Sequence, residues 1–354
     1  MKVIPKKPTL LDVAQLAGTT KGTASRALNG RHWVAEPTRL AVLKAARELG
    51  FQADVTAQRL ATGRSESLVG LFAPSLDLGV VTRKLQLMQM ALAERGFDAS
   101  IHACSSDRQA KTLLSLCRQK PAAIACYTLS MSDAALRVLQ HFSDEGGAVV
   151  CFDTPFELKG ERGDYVVFDR ADNTFQAAKH LVELGHRRIG FFSSSGGHDP
   201  NRLRGFKRAL RAGGISWSEA MSFFGAQFQQ PGEMPFGEQI GQRMAAHFCS
   251  LKKNARPTAM CITDDNVCAA FVAQIVRAGL RVPQDVSVVG HDDLPVAAFT
   301  SAVPLTTVSQ PVEKIAHETV NLLTSRLSRE YSGGARRVVL QGELIVREST
   351  ARKE

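Results

Sequence analysis

The sequence predicts two unlike parts: an all-α helix-turn-helix headpiece with a hinge helix, and a larger two-lobed α/β core built on parallel sheets. Three observations predict this. Two closely spaced helix starts open the chain, basic residues concentrate in its first 66 positions, and beyond Leu68 short apolar runs alternate with amphipathic helical patterns. At 354 residues the chain is long for one domain, and 44% hydrophobic residues supply material for large cores.

The headpiece is expected over residues 1–53. Thr9 precedes an apolar-periodic run with Asp12 three residues on, the spacing of a capping box. Gly18 ends that helix, as a residue free to adopt positive φ should. Thr20 then caps a second helix whose exposed side offers Lys21, Thr23, Ser25 and Arg26. Short polar and basic side chains of this kind reach base edges and phosphates from inside a major groove. Glu36-Pro37-Thr38 opens a third helix, with Pro tolerated in the first turn. Leu40, Leu43, Ala46 and Leu49 recur there at helical spacing and are expected to cover the first two helices, with Gly50 as the stop. A helix-competent stretch over 54–63 follows, too short to be stable alone in water. With the polar linker after it, this stretch covers 54–66.

Charge supports the division. Residues 1–66 hold eleven Lys/Arg against five acids, a net of +6 out of the chain's formal +10. A basic end on a near-neutral body is the footprint of a protein that touches phosphates with one end, although a solvated basic face would give the same count. Seven cysteines are scattered with no Cys-x-x-Cys pair. That pattern, with no signal peptide, argues for free thiols in a reducing cytoplasm and against a metal site or cofactor. No apolar run approaches the ~18–20 residues that span a bilayer, so no membrane association is expected.

In the core, strand-like runs fall at 68–73, 122–127, 148–153, 165–169, 188–192, 259–263, 286–290 and 305–308, with helical patterns between them, for example 83–95, 174–184, 203–212 and 267–278. Such alternation reads as parallel sheets covered by helices. Roughly 280 residues suit two lobes, and ligands of these folds bind outside the carboxyl ends of strands, here in a cleft between lobes. His186, His198 and His291 invite a search for a general base. No Gly-x-Ser-x-Gly, phosphate-binding Gly loop or metal-spaced cluster accompanies them, so an enzyme is not expected.

From Thr9 to Arg347 the chain resembles the lactose-repressor/galactose-repressor family of bacterial transcription regulators. The resemblance rests on several strings in order. They include Thr9-Leu10-Leu11-Asp12-Val13-Ala14, Ser25-Arg26-Ala27-Leu28-Asn29, Ala57-Gln58-Arg59-Leu60-Ala61 and Leu184-Gly185-His186-Arg187-Arg188-Ile189-Gly190. Later come Arg202-Leu203-Arg204-Gly205-Phe206, Val286-Ser287-Val288-Val289-Gly290-His291-Asp292-Asp293 and Pro304-Leu305-Thr306-Thr307-Val308. The resemblance implies a homodimer on double-stranded operator DNA, a hinge over 54–66 and a core, 67–350, like that of periplasmic sugar-binding proteins. It places the first lobe at about 67–167 plus 294–326 and the second at about 168–293 plus 327–350. It also implies a ligand-responsive regulator, most simply a repressor, acting on a pseudo-palindromic site.

The resemblance also assigns residues. Lys21, Gly22, Thr23, Ser25 and Arg26 match the family's recognition helix, with Arg26 the strongest base-edge candidate. Gly22 offers no side chain where relatives commonly read a base. Thr9, Asn29, Arg31 and Thr38 fit phosphate or turn positions, and Ala35 stands where relatives cap the third helix. Leu60 matches the leucine that wedges into a central minor-groove step, and Ala57 allows two hinge helices to approach. For the effector cleft, Arg202, Asp153, Asp264 and Asp292 match or fall beside ligand-holding positions, with Phe236 as a stacking aromatic and Asp77 at the first-lobe wall. Arg170 replaces a common Asn. Where relatives carry an aromatic stretch this chain reads Leu78-Gly79-Val80-Val81, which favours a carbohydrate-like effector (sugar, sugar acid or sugar phosphate) over a stacked purine. The chain ends with no heptad run, so a dimer rather than a tetramer is expected. The rival reading is a solute-binding transport protein, which would carry a secretory signal in place of the headpiece.

Overall fold

The computed structural model describes residues 8–28, 34–51, 65–73, 79–104, 106–129, 131–153, 163–193, 200–230 and 237–353. The chain divides into two compact units, Met1–Glu66 and Ser67–Glu354.

Three helices make up the described part of the first unit: α1 (Leu10–Leu16), α2 (Lys21–Leu28) and α3 (Glu36–Glu48). The capping box is present. Asp12 Oδ2 accepts the Thr9 N–H at 2.7 Å, and Thr9 Oγ1 accepts the Asp12 N–H at 3.3 Å. Gly18, at φ +65°, turns the chain after α1, and Thr20 Oγ1 accepts the Thr23 N–H at 3.2 Å to start α2. The core is small: Val13, Ala14, Ala24, Ala27, Val42, Ala45 and Ala46. Small residues let three short helices close on one another, and they fix which face of α3 turns inward. Of the expected stripe, Ala46 is buried and Leu49 packs against this core, but Leu40 is 57% exposed, and Val42 and Ala45 complete the buried row. Ala35 caps α3 without a side-chain bond, and Pro37 sits in the first turn. The expected hinge residues Ala57 and Leu60, together with Asn29 and Arg31, lie outside the described residues.

The larger unit opens with β1 (Ser65–Ala73), α4 (Gly79–Glu94), β2 (Asp98–Ala103), α5 (Gln109–Arg118), β3 (Pro121–Tyr127), α6 (Asp133–Asp144), β4 (Ala148–Phe152) and β5 (Gly163–Phe168). It continues through α7 (Arg170–Glu183), β6 (Ile189–Ser193), α8 (Pro200–Ala212), β7 (Ser222–Phe224), α9 (Glu238–Ser250), β8 (Ala259–Ile262), α10 (Asp265–Arg277) and β9 (Ser287–Asp292). Last come β10 (Thr306–Ser309), α11 (Val312–Leu327), β11 (Arg337–Leu340) and β12 (Leu344–Ile345). Two six-stranded sheets result, in the orders β11-β5-β4-β3-β1-β2 and β12-β10-β9-β8-β6-β7. The strand pairs are parallel, except that β12 runs antiparallel to β10.

Period-two alternation sorts the side chains onto two faces. In the first lobe Val69, Leu71 and Ala73 pack with α4 and α11, while Phe72 joins α5 and α6 on the opposite face. The second lobe repeats the plan, with α9 and α10 on one face and α7 and α8 on the other.

The chain crosses between lobes three times: after β5 at Asp169, after β10 at Gln310 and Pro311, and between β11 and β12 at 341–343. This moves the lobe boundaries from those expected. Residues 294–326 were assigned wholly to the first lobe, yet β10 pairs with β9 of the second sheet, Thr306 beside Val289. Residues 327–350 were assigned to the second lobe, yet β11 pairs with β5 of the first, Arg337 beside Tyr165. The second crossing follows a strand rather than preceding it, so short apolar runs alone did not reveal their sheet.

Among the described residues no helix is long and apolar enough to cross a membrane, and no group of three or more His, Cys, Asp or Glu is placed to hold a metal. The seven cysteines are free thiols.

Candidate functional site

Two places in the chain gather chemistry. The first is α2. Ala24 and Ala27 face the headpiece core at 0% and 2% exposure, so the helix turns Lys21, Gly22 and Arg26 outward with Thr23 and Ser25 half-buried beside them. Arg26 Nε donates to the Gly22 carbonyl at 3.2 Å, holding the guanidinium along its own helix. A Cβ added at Gly22 would meet only Thr20 Oγ1, at 4.0 Å, so the missing side chain is not a packing requirement. Thr9 is exposed and Thr38 half-buried near the same helices' starts.

The second is the cleft at the carboxyl ends of the strands, in the larger unit. Asp153 follows β4 at φ +53° and Asp292 ends β9 at φ +102°, backbone conformations that non-glycine residues rarely adopt and that concentrate at functional sites. Asp264 follows β8 and caps α10, its Oδ1 accepting the Asn266 and Val267 N–H groups at 2.9 and 3.0 Å. Burial, then the Asp292 charge, push the Asp264 carboxyl up to about 6. Arg202, in the first turn of α8, is 6% exposed; its charge reaches Asp264, His291 and Tyr127. Arg170 opens α7, donates to the Tyr127 hydroxyl and stands 5.9 Å over the Phe168 ring. Burial pushes Tyr127 up to about 12, so it stays a neutral phenol. Asp77 and Phe236 lie outside the described residues.

Several residues here were not anticipated. Lys84, fully buried on α4, donates from Nζ to Asp153 Oδ2 and to Gln310 Oε1, the latter at 2.6 Å. Gln310 Nε2 donates to Asp292 Oδ1 at 2.5 Å. Burial pulls the Lys84 ammonium below its usual range, against the attraction of Asp153. His291, by contrast, is a cleft residue and not a base at neutral pH. Burial and the Arg202 charge bring it down to about 3, and its Nδ1–H donates to the Ile262 carbonyl at 3.0 Å, which leaves Nε2 as an acceptor. His186 is structural, bonded to Thr258, Ser287 and the Ala351 carbonyl. Asp265 is structural too; it accepts from Thr307 Oγ1 and the Leu294 N–H, both at 2.9 Å.

Four buried polar atoms at these strand ends have no hydrogen-bond partner: Thr128 Oγ1, Asp153 Oδ1, Thr263 Oγ1 and His291 Nε2. Their residues are 1–3% exposed. Thr128, Asp153 and Thr263 directly follow β3, β4 and β8, and His291 lies near the end of β9, so they come from adjacent strands in each sheet. Buried polar groups are seldom left unsatisfied, because each costs about 1–3 kcal/mol.

Comparison with known proteins finds matches in both units. Residues 9–54 match the model of bacterial regulatory proteins of the lacI family, and residues 178–350 match a periplasmic binding protein-like domain. The HTH-type transcriptional regulator CelR of Thermobifida fusca is 31% identical over 358 residues, covering 97% of this chain and 98% of that protein. DegA of Bacillus subtilis (strain 168), another HTH-type transcriptional regulator, is 29% identical over 98% of each. Among solved structures, a CelR–cellobiose complex superposes with a TM-score of 0.69 at 29% identity, covering 97% of this chain and 99% of that one. A lac repressor dimer bound to operator and the anti-inducer ONPF shares the fold, with a TM-score of 0.78 at 23% identity over 98% and 100%.

Proposed function

This chain belongs to the LacI family of bacterial transcriptional regulators, and from that premise we propose which of its residues read DNA and which read a small molecule. It is a ligand-responsive DNA-binding repressor rather than an enzyme, and it works as a homodimer on operator DNA. On this reading α2 enters the major groove, with Lys21, Thr23, Ser25 and Arg26 toward base edges and phosphates. Thr9, Asn29, Arg31 and Thr38 hold the backbone in register, and Ala57 and Leu60 serve the hinge in the minor groove. Phe299, 85% exposed, is the kind of apolar surface that a second copy covers. The protein acts where its DNA is, in the cytoplasm.

The effector is a hydroxyl-rich, carbohydrate-like molecule held between the lobes by Asp153, Arg202, Asp264 and Asp292, with Thr128, Thr263 and His291 added by the structure. The observation that carries this is the set of four orphaned buried polar atoms at the carboxyl ends of strands of both sheets. The effector shifts the lobe equilibrium only by its differential affinity for the two arrangements.

A gel shift with DNA from upstream of the protein's own gene tests the regulator reading. Binding that weakens steeply with salt, and an Arg26→Ala variant that binds with lower sequence preference, are expected. No binding to any duplex at low ionic strength would overturn it. A thermal-shift screen tests the effector class: sugars and sugar acids should stabilise the protein, and stabilisation by nucleobases alone would sink the carbohydrate assignment.

A further inference from the structure

Lys84 is a cation placed where the sequence pattern of α4 calls for a leucine. It lies four residues after Val80 and four before Met88, on the face those residues turn into the core, and it is 0% exposed. Desolvating an ammonium is costly unless its partners are close and well oriented, so the partners matter. They are Asp153, at the end of β4, and Gln310, on the second crossing. Gln310 passes the chain of bonds on to Asp292, at the end of β9. The four residues therefore come from four separate segments. Lys84 and Asp153 belong to the first lobe, Asp292 belongs to the second, and Gln310 sits on the crossing that joins them.

The orientation of the Gln310 amide is fixed by charge. Its oxygen must face the ammonium and its NH2 must face the carboxylate, and each bond is strengthened by an ionised partner. The relay is polar along its whole length, and it ends at the two carboxylates whose backbones are held at positive φ.

We propose that Lys84 is a positioning residue that sets the arrangement of the lobes through Gln310, and so transmits ligand occupancy at Asp292 to the first lobe. The proposal rests on the cleft being the ligand site. A ligand hydroxyl that donates to Asp292 Oδ1 displaces the Gln310 amide, which then keeps its bond to Lys84 alone. The second lobe is released from the relay. Asp153 Oδ1, orphaned beside Lys84, receives a hydroxyl at the opposite end. One polyhydroxy molecule thus replaces a lobe-to-lobe contact of the protein with contacts of its own.

The test needs no small molecule. Hydrogen–deuterium exchange is measured on the full-length chain for wild type, Lys84→Met/Asp153→Asn, Gln310→Leu and the triple variant. The double variant removes the ion pair without stranding a buried charge, so a folding defect does not decide the outcome. Residues 287–293 of the second lobe should exchange at least about tenfold faster in the double variant, as expected for losing one buried charge-assisted bond. Adding Gln310→Leu should bring no further change there. The proposal is overturned if faster exchange stays within 79–94 and 148–153 of the first lobe. It is equally overturned if the double substitution speeds exchange of 287–293 as much on top of Gln310→Leu as it does in the wild-type chain. Stabilisation of the wild-type protein by sugars in the thermal-shift screen, measured separately, reports on the cleft as the ligand site, so the two failures are distinguishable.

Discussion

Asn173 Oδ1 accepts the backbone N–H of Gly342 at 3.0 Å, across 169 positions of sequence. The same side chain donates from Nδ2 to the Ser309 carbonyl at 3.2 Å. It lies on α7, just after Asp169, whose N–H donates to the Leu340 carbonyl at 2.9 Å. One fully buried amide thus binds two of the crossings and stands at the start of the third.

Asn173→Ala should therefore lower stability by about 1–3 kcal/mol for each backbone group left unsatisfied. Calorimetry of the intact protein should show a melting temperature reduced by several degrees. Gly342→Ala should be worse, because an added Cβ would sit 1.8 Å from the Ser309 carbonyl oxygen, backbone against side chain with nowhere to move. Equal melting temperatures for Gly342→Ala and wild type would refute that close approach.

Asp264 predicts a pH dependence. Its folded value of about 6 lies above the ordinary carboxylate value of about 3.9. The folded state binds the proton more tightly, so the stability this group contributes is complete below about pH 4 and lost as pH rises through about 6. Asp264→Asn keeps the oxygen that caps α10. The variant should be more stable than wild type at neutral pH, by about 1–3 kcal/mol, and flatter between those limits. Urea melts across that range would check it, with sugar binding expected to weaken in the same variant.

Asp164 predicts the opposite slope. Its carboxylate is fully buried, and burial alone would raise it. Bonds from Arg326 at 2.7 and 2.8 Å and from Arg336, including the Arg336 N–H at 2.8 Å, outweigh burial and hold it below the usual range. Stability from this group is present above the ordinary carboxylate value and is lost as pH falls through the depressed one. Asp164→Asn removes the carboxylate charge from two guanidinium groups that keep their bonds to the Gly333, Gly334 and Leu322 carbonyls, and should cost about 1–3 kcal/mol. Acid unfolding of wild type followed by circular dichroism should show the loss beginning below about pH 4.

Gly22→Ala should stabilise α2 by up to about 1 kcal/mol, since Gly is a poor helix residue and the added methyl meets nothing closer than 4.0 Å. Heat stability of the headpiece should rise while the preferred DNA sequence changes. Selection of bound sequences from a random pool would detect the shift, and an unchanged preference would remove Gly22 from the reading surface.

Much of this was legible in the sequence where chemistry is local. The Thr9–Asp12 box, the Gly18 stop and the missing cap at Ala35 each depend on neighbours three or four residues away. The phase of α3 was not legible, because Leu40 and Val42 fit helical periods about equally well and only packing against Ala24 and Ala27 decides between them. Asp153, Asp264 and Asp292 could be placed by their positions at strand ends. Lys84 left a readable signal that went unused, a single cation in the row Val80, Val81, Leu85, Met88. Gln310 left none, since its role exists only because a crossing brings it between two lobes. The four-residue β11 and the two-residue β12 were too short to announce themselves, and with them went the correct lobe boundaries.

Three passages between the lobes also govern how this molecule can come apart. Cutting any one of them leaves the halves tethered by the other two, so a single proteolytic nick should yield a protein that still migrates as one particle until it is denatured. Neither half is a contiguous stretch of the gene, and neither can be obtained by truncation. The sensor must be made, inherited and degraded as one piece.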